Sequence, residues 1–209
     1  INASDHVERT YMGVLYALPY FWRDETLDAP HNLFMNVDAV FGLAAQEGFA
    51  QRPNLDGLVF NAAPPTGASG TAQIIDLRYR ATQVGWLYDA GRGQYLRFSD
   101  GLPHTDANTG AQVTADNVVI LYANHRETDI VESEWQGVIS YSIEIQVWGE
   151  GDALILRDGQ QYPARWLRPE RTHMIQFVSP EGTPLALRPG VTWFQLLPPP
   201  GGEERLVIG

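Results

Sequence analysis

The chain has 209 residues, 44% of them apolar, with six Trp, nine Tyr and eight Phe and a formal net charge of −11. That composition supplies a sizeable core and excludes a disordered chain, while the acid excess excludes counterion-driven wrapping of nucleic acid and disfavours anionic membrane surfaces. All fourteen cations are Arg and Cys is absent, which removes lysine Schiff bases, the phosphate-loop lysine, thiol nucleophiles, disulfides and thiolate metal sites together.

In chain order, residues 4–19 place Val7, Tyr11, Val14, Leu15 and Leu18 near helical spacing behind the capping residue Ser4, and Pro19 stops the run. A first helix is expected there. The stretch FWRDETLDAPHNLFMN, residues 21–36, gathers Arg23, Asp24, His31 and Asn32 between Trp22 and Phe34, and Pro30 holds Ala29 extended. A second helix is expected over 37–47, with Asn36 as N-cap, Asp38 at the positive end of the dipole and Gly48 as the stop. Its buried stripe should be Val37, Val40, Phe41 and Ala44.

Residues 51–70 include NAAPPTGASG, a flap or a linker. From residue 71 the period changes to two. Ile75, Leu77 and Tyr79 alternate with polar residues, then Val84, Trp86 and Tyr88 do so, and DAGRG turns the chain into QYLRF as a hairpin. NVVILYAN is almost continuously apolar, as a strand covered on both faces should be. SYSIEIQVWG puts Tyr141, Ile143, Ile145 and Val147 on one face. ALILRDGQQYPARW and MIQFVSPEGTPLAL read as two more strand–turn–strand units, and VTWFQLL closes the series. RFSDGLP, LRDGQQYP and VSPEGTP each set an acid–Gly pair behind a strand with Pro soon after, a meander of hairpins rather than a solenoid.

The fold class is therefore α+β: a mostly antiparallel sheet of hairpins with one or two N-terminal helices packed against it. The expected organisation is a helix-and-loop segment over 1–50, a Pro/Gly-rich loop over 51–70, a β-rich domain over 71–198 and a tail over 199–209 in which RLVIG can add an edge strand. The chain opens on Ile1 rather than Met, so a processed product is expected. No run of 18 apolar residues occurs, so no membrane-spanning helix is expected.

Three blocks together resemble the YerB-like lipoproteins, a bacterial family of unknown function. They are FWRDETLDAPHNLFMN with the following helix and Gly48–Phe49; YDAGRGQYLRFSDGLPHTDANTGAQVTADNVVILY; and GEGDALILRDGQQYPARWLRPERTHMIQFVSPEGTPLALRPGVTWFQLLP. The resemblance runs from about residue 20 to residue 198. It implies a secreted bacterial protein, anchored in its full-length form by a lipid on an N-terminal Cys, with a further N-terminal α/β region. It brings no established activity. It sets His31 and Asn32, in APHN, at the family's most recognisable motif.

The candidate ligand-binding residues fall in three groups. Arg23, Asp24, His31 and Asn32 form either a polar staple, with Arg23 on a nearby acid, or the wall of a site for an anionic or sugar group. His104 and Asp106, in HTDANTG, sit in what is either an Asx turn or the first half of a calcium loop lacking its bidentate Glu. His125 and Glu127, in NHRETD, share one side of a strand and are either a charged strand end or a general acid–base pair. Asp76, Glu132, Glu134 and Glu144 could supply a glycosidase pair, but the sequence nominates none. No G-x-S-x-G elbow occurs. The aromatics of the first hairpin (Trp86, Tyr88, Tyr95, Phe98) and Trp148, Trp166 and Trp193 are either core or a platform for sugar rings.

Two functions follow. One is a binding or scaffold module on the outer face of the cytoplasmic membrane, whose partner is cell-wall glycan or another envelope protein. The other is an envelope glycan hydrolase or transferase in which His31, His125 and an acid move protons while Arg23 holds an anion. No cofactor, metal or nucleic-acid partner is expected.

Overall fold

The computed structural model describes residues 18–28, 32–51, 56–79, 81–170, 172–200 and 205–209. The expected helix over 4–19 lies almost wholly outside them, as does His31. The chain divides into two compact units, Ile1–Pro53 and Asn54–Gly209.

In the first unit, β1 (Phe21–Arg23) and β2 (Leu33–Met35) form an antiparallel hairpin with Trp22 opposite Phe34. The helix α1 (Val37–Gln46) follows directly. Asn36 caps it as expected, its Oδ1 accepting from Ala39 N at 3.1 Å. The C-terminus closes on Gly48 at φ +82°, with Gly48 N donating to Ala45 O at 3.2 Å and Phe49 N to Ala44 O at 2.7 Å. This is the glycine-dependent cap that satisfies the last carbonyls. The expected buried stripe is not the observed one. Leu43 is the buried helix residue, while Val37 and Phe41 are exposed.

The second unit is a sandwich of two six-stranded sheets. One sheet runs β14 (Gln176–Val178), β13 (Gln160–Arg168), β12 (Gly149–Arg157), β9 (Asn117–Tyr122), β15 (Thr192–Leu197), with the short β3 (Gly70–Thr71) also on β13. The other runs β16 (Arg205–Ile208), β4 (Ile74–Arg78), β5 (Gln83–Asp89), β6 (Gln94–Ser99), β7 (Leu102–Pro103), with β8 (Thr114–Ala115) on β6. Among the described strands every pairing is antiparallel except that of β15 with β9, and an isolated bridge between Phe60 and Leu187 is also parallel. The α+β, sheet-dominated reading therefore holds, with a single helix among the described residues.

The alternations seen in the sequence face one shared core. Ile75, Leu77, Val84, Trp86 and Tyr95 from one sheet meet Val118, Ile120, Leu156 and Leu197 from the other. The opposite face of the β9 sheet buries Val119, Leu121, Ile155, Tyr162 and Trp166 under Leu185 and Leu187. β9 is thus covered on both sides, which explains its continuous apolar run. The hairpin turns at Asp100–Gly101 and Asp158–Gly159 hold both residues at positive φ, the conformation a two-residue hairpin demands. Pro163 sits mid-strand in β13. It faces Leu154 on one side, while on the other side β3 pairs with 160–161 and β14 with 165–167. Its missing N–H falls in the gap between those two partners.

Between β9 and β12 the chain makes an excursion that the sequence did not distinguish from the other strands. β10 (Asn124–Trp135) and β11 (Val138–Gln146) form a two-stranded ribbon that pairs with no other described strand. Its root residue Ile145 packs on the second core cluster, with Val147 just beyond the end of β11. Between Glu127↔Ile143 and Val131↔Tyr141, β10 spends four residues against two of β11, and a second shift follows before Ser133↔Ser140. Such bulges bend and twist a ribbon. Strand-like SYSIEIQVWG is therefore correct in type but not in setting: Ile143 is 51% exposed.

Candidate functional site

Arg97 lies in β6 opposite Trp86 of β5, so it points with Trp86 and Tyr95 toward the space between the sheets. Its guanidinium stands 4.6 Å from the Trp193 ring centroid and 5.8 Å from that of Trp86, a doubly aromatic cation seat. The two indoles cross edge to face, 5.4 Å apart. Buried Gln195 ties them together. With its carbonyl toward the indoles, Oε1 accepts from Trp86 Nε1 at 3.2 Å and Trp193 Nε1 at 3.1 Å, and Nε2 donates to Tyr79 Oη at 2.6 Å.

His104 reaches the same spot from the segment after β7. Its backbone N donates to Arg97 O at 3.0 Å, and Val113 N donates back to His104 O at 2.8 Å. The side chains meet as well, with Arg97 Nη1 donating to His104 Nδ1. Arginine has no acceptor, so Nδ1 must be the unprotonated nitrogen of that pair, and a neutral ring carries its proton on Nε2. Burial lowers the Arg97 pKa, opposed by nearby Tyr79. Burial also raises the Tyr79 phenol to about 12, with the Arg97 charge pulling the other way. Arg97 Nε is buried without a hydrogen-bond partner.

Of the residues expected from sequence, His104 belongs to this cluster. Asp106 does not: its Oδ1 accepts from Thr109 N at 2.8 Å, Thr109 Oγ1 at 2.8 Å and Asn108 N at 3.2 Å. Those bonds, the Thr109 hydroxyl's first, hold its pKa below the ordinary value. The loop is an Asx turn closed by Gly110 N on Asp106 O at 2.8 Å.

In the first unit, Arg23 Nη1 donates to Asn32 Oδ1 at 2.6 Å, and Asn32 is buried. Among the described residues, this amide is the group bonded to Arg23. Asp24 is turned to its own loop, accepting from Thr26 Oγ1 at 2.6 Å and Thr26 N at 2.9 Å, which lowers its pKa. Trp22 and Phe34 stack at 6.0 Å across the hairpin. Both are 40% exposed.

His125 and Glu127 lie on one side of β10, but the ring's hydrogen bond goes elsewhere: Nδ1 donates to Ala123 O at 2.9 Å. Neither His104 nor His125 is bonded to a carboxylate, and no group of three metal-ligating side chains forms among the described residues. A concavity of about 720 Å³ on the ribbon is lined by Arg126, Glu127, Asp129, Tyr141 and Glu144 among others. The aromatic-platform reading does not hold for Trp86, Tyr95 and Trp166, which are core residues. Trp166 even passes over Gly151 to donate to Tyr122 O at 2.8 Å, where a Cβ on Gly151 would stand 2.5 Å from the indole nitrogen.

Sequence reasoning missed Arg97, Tyr79 and Gln195. The available signal was Arg97 on the same strand face as Tyr95, an arginine in a position that alternation assigns to the core. No helix of the described residues is long and apolar enough to cross a membrane.

The family described as "Protein of unknown function (DUF3048) C-terminal domain" matches residues 75–194. "Putative lipoprotein YerB" of Bacillus subtilis (strain 168) is 26% identical over 187 residues, covering 85% of this chain and 51% of that protein. The chain thus spans about half the length of the curated relative it matches. The crystal structure of YerB protein from Bacillus subtilis shares the fold, with a TM-score of 0.69 at 22% identity over 98% of this chain and 68% of that one.

Proposed function

Since this chain belongs to the DUF3048 family, whose description names no activity, we propose that it is a non-catalytic docking module of a bacterial cell-envelope lipoprotein. It works on the outer face of the cytoplasmic membrane and holds a second protein through the β10–β11 ribbon. The lipoprotein assignment rests on the name of the relative. The docking reading rests on one observation: the ribbon presents Ile130, Val131, Val138, Ile139 and Ile143 to solvent while pairing with no other described strand. Unpaired strand edges beside apolar side chains are a template for an added strand.

Charge narrows the partner. The ribbon carries Glu127, Asp129, Glu132, Glu134 and Glu144 against Arg126 alone. A second copy of the chain would be repelled, and a partner strand bearing Arg or Lys would be drawn in. A hydrolase reading has less support, because the described histidines of the candidate groups bond to arginine and to a backbone carbonyl.

The test is site-specific photo-crosslinking in cells. A photoreactive residue at position 138 should give a discrete protein adduct that disappears with Ile143→Asp. The same probe at exposed Leu102, on the sandwich, should not give it. Identical adducts from both positions would sink the reading.

A further inference from the structure

Arg97 is a cation that the fold positions without neutralising. The chain has 25 Asp and Glu, and Arg92, Arg157, Arg165 and Arg188 each have one within 4.0 Å. Arg97 has none among the described residues. Its plane is held by Trp193 and Trp86 and one nitrogen by His104, leaving Nε unpartnered. The neighbours are spent as acceptors too. His104 Nδ1 accepts the hydrogen bond from Arg97 Nη1, so a neutral ring offers only Nε2–H, and Tyr79 Oη accepts from Gln195, so it offers its O–H. Hydrogen-bond donors thus gather around one positive charge, with no acceptor left among them.

We propose that Arg97, His104 and Tyr79 form a binding site for an oxyanion, a carboxylate or phosphate group carried by a ligand. The site is independent of the ribbon. Arg97, only partly buried, supplies the charge-assisted bond. The indoles fix the guanidinium plane and lower the local dielectric, which strengthens that bond. The segment carrying His104 supplies one side of the site, and Trp193 of β15 the other.

The experiment titrates the whole ¹⁵N-labelled chain with sodium acetate and, separately, sodium phosphate, each against sodium chloride at matched ionic strength. The readout is the Arg97 Nε–H and the Trp86 and Trp193 Nε1–H resonances. Saturable shifts with acetate or phosphate, absent with chloride and lost in Arg97→Met, are expected. The tighter of the two ions identifies the ligand group as carboxylate or phosphoryl. Tyr79→Phe should weaken binding about fivefold, the worth of one ordinary hydrogen bond. If Arg97→Met fails to fold, Arg97→Lys keeps the charge without the planar fork and must weaken binding. Shifts that never saturate, that chloride reproduces, or that survive the Arg97 substitutions overturn the proposal.

Discussion

Arg157 and Arg97 both sit on sheet faces that alternation reserves for apolar side chains, yet the fold treats them in opposite ways. Arg157 is 0% exposed and each of its three side-chain nitrogens is hydrogen-bonded. Nη1 donates to Asn61 O at 3.0 Å and Ala186 O at 3.1 Å, Nη2 to Ala62 O at 3.0 Å, and Nε to Asp158 Oδ2 at 2.7 Å. It pins the 61–63 loop and the segment before β15 to the sheet. Arg97 has aromatic faces, one imidazole and an idle Nε. A buried charge with full coordination is a structural part, whereas one held by rings alone remains open to a partner.

Substitution sharpens that contrast. Arg157→Met strands three carbonyls and leaves Asp158 with Arg188 alone as its ion-pair partner. It should cost about 3–5 kcal/mol, as for one broken member of a buried ion pair, and lower Tm by roughly 10 °C. Arg97→Met removes a partly exposed cation–π contact worth about 1 kcal/mol and also removes an unsatisfied N–H. Thermal unfolding of the two variants side by side measures the difference, and equal losses would break the comparison.

A second probe is alkaline titration. Burial raises the Tyr79 phenol from 10.0 to about 12, so the folded state holds that proton more tightly than the unfolded chain does. The contribution is complete below pH 10 and is lost as pH rises through 12. Burial also raises Tyr88, Tyr95, Tyr122 and Tyr162, so phenolate absorbance should show several late-titrating tyrosines, one fewer of them in Tyr79→Phe. If the loss removes an ordinary phenol instead, the packing around Arg97 is looser than described.

The smallest effect belongs to the ribbon. Ile143→Asp should change stability by about 0.5 kcal/mol or less, as at an exposed site, while abolishing the crosslink described above. A large loss of Tm would make the ribbon a structural strap rather than an arm.

Much of the sandwich was legible in advance. Ile75, Leu77, Val84 and Trp86 alternate because one face of their sheet is buried. β9 does not alternate because both of its faces are. Asp158–Gly159 announced its hairpin because both turn residues need positive φ. The site was less legible. His104 stood out as a histidine beside a turn, but its partner is Arg97, seven residues earlier on a hairpin strand that reads only as alternation. Arg23 reads as a staple on an acid or as the wall of a site, and among the described residues it bonds the Asn32 amide, a partner that sequence proximity does not give because it does not fix side-chain direction.

The amino-acid order alone determined the long strands of the sandwich, the helix behind Asn36 and the hairpin turns, since these depend on φ preferences and on periods of two and 3.6 within a few residues, but it did not announce the β1–β2 hairpin. It could not separate β11 from a core strand, because an Ile facing solvent and an Ile facing a second sheet are written identically. Nor could it show that Arg97 meets Trp193 from the far sheet. Contacts between residues almost a hundred positions apart exist only once two twisted sheets close on one another, and the tertiary structure alone decides which cations that closure satisfies.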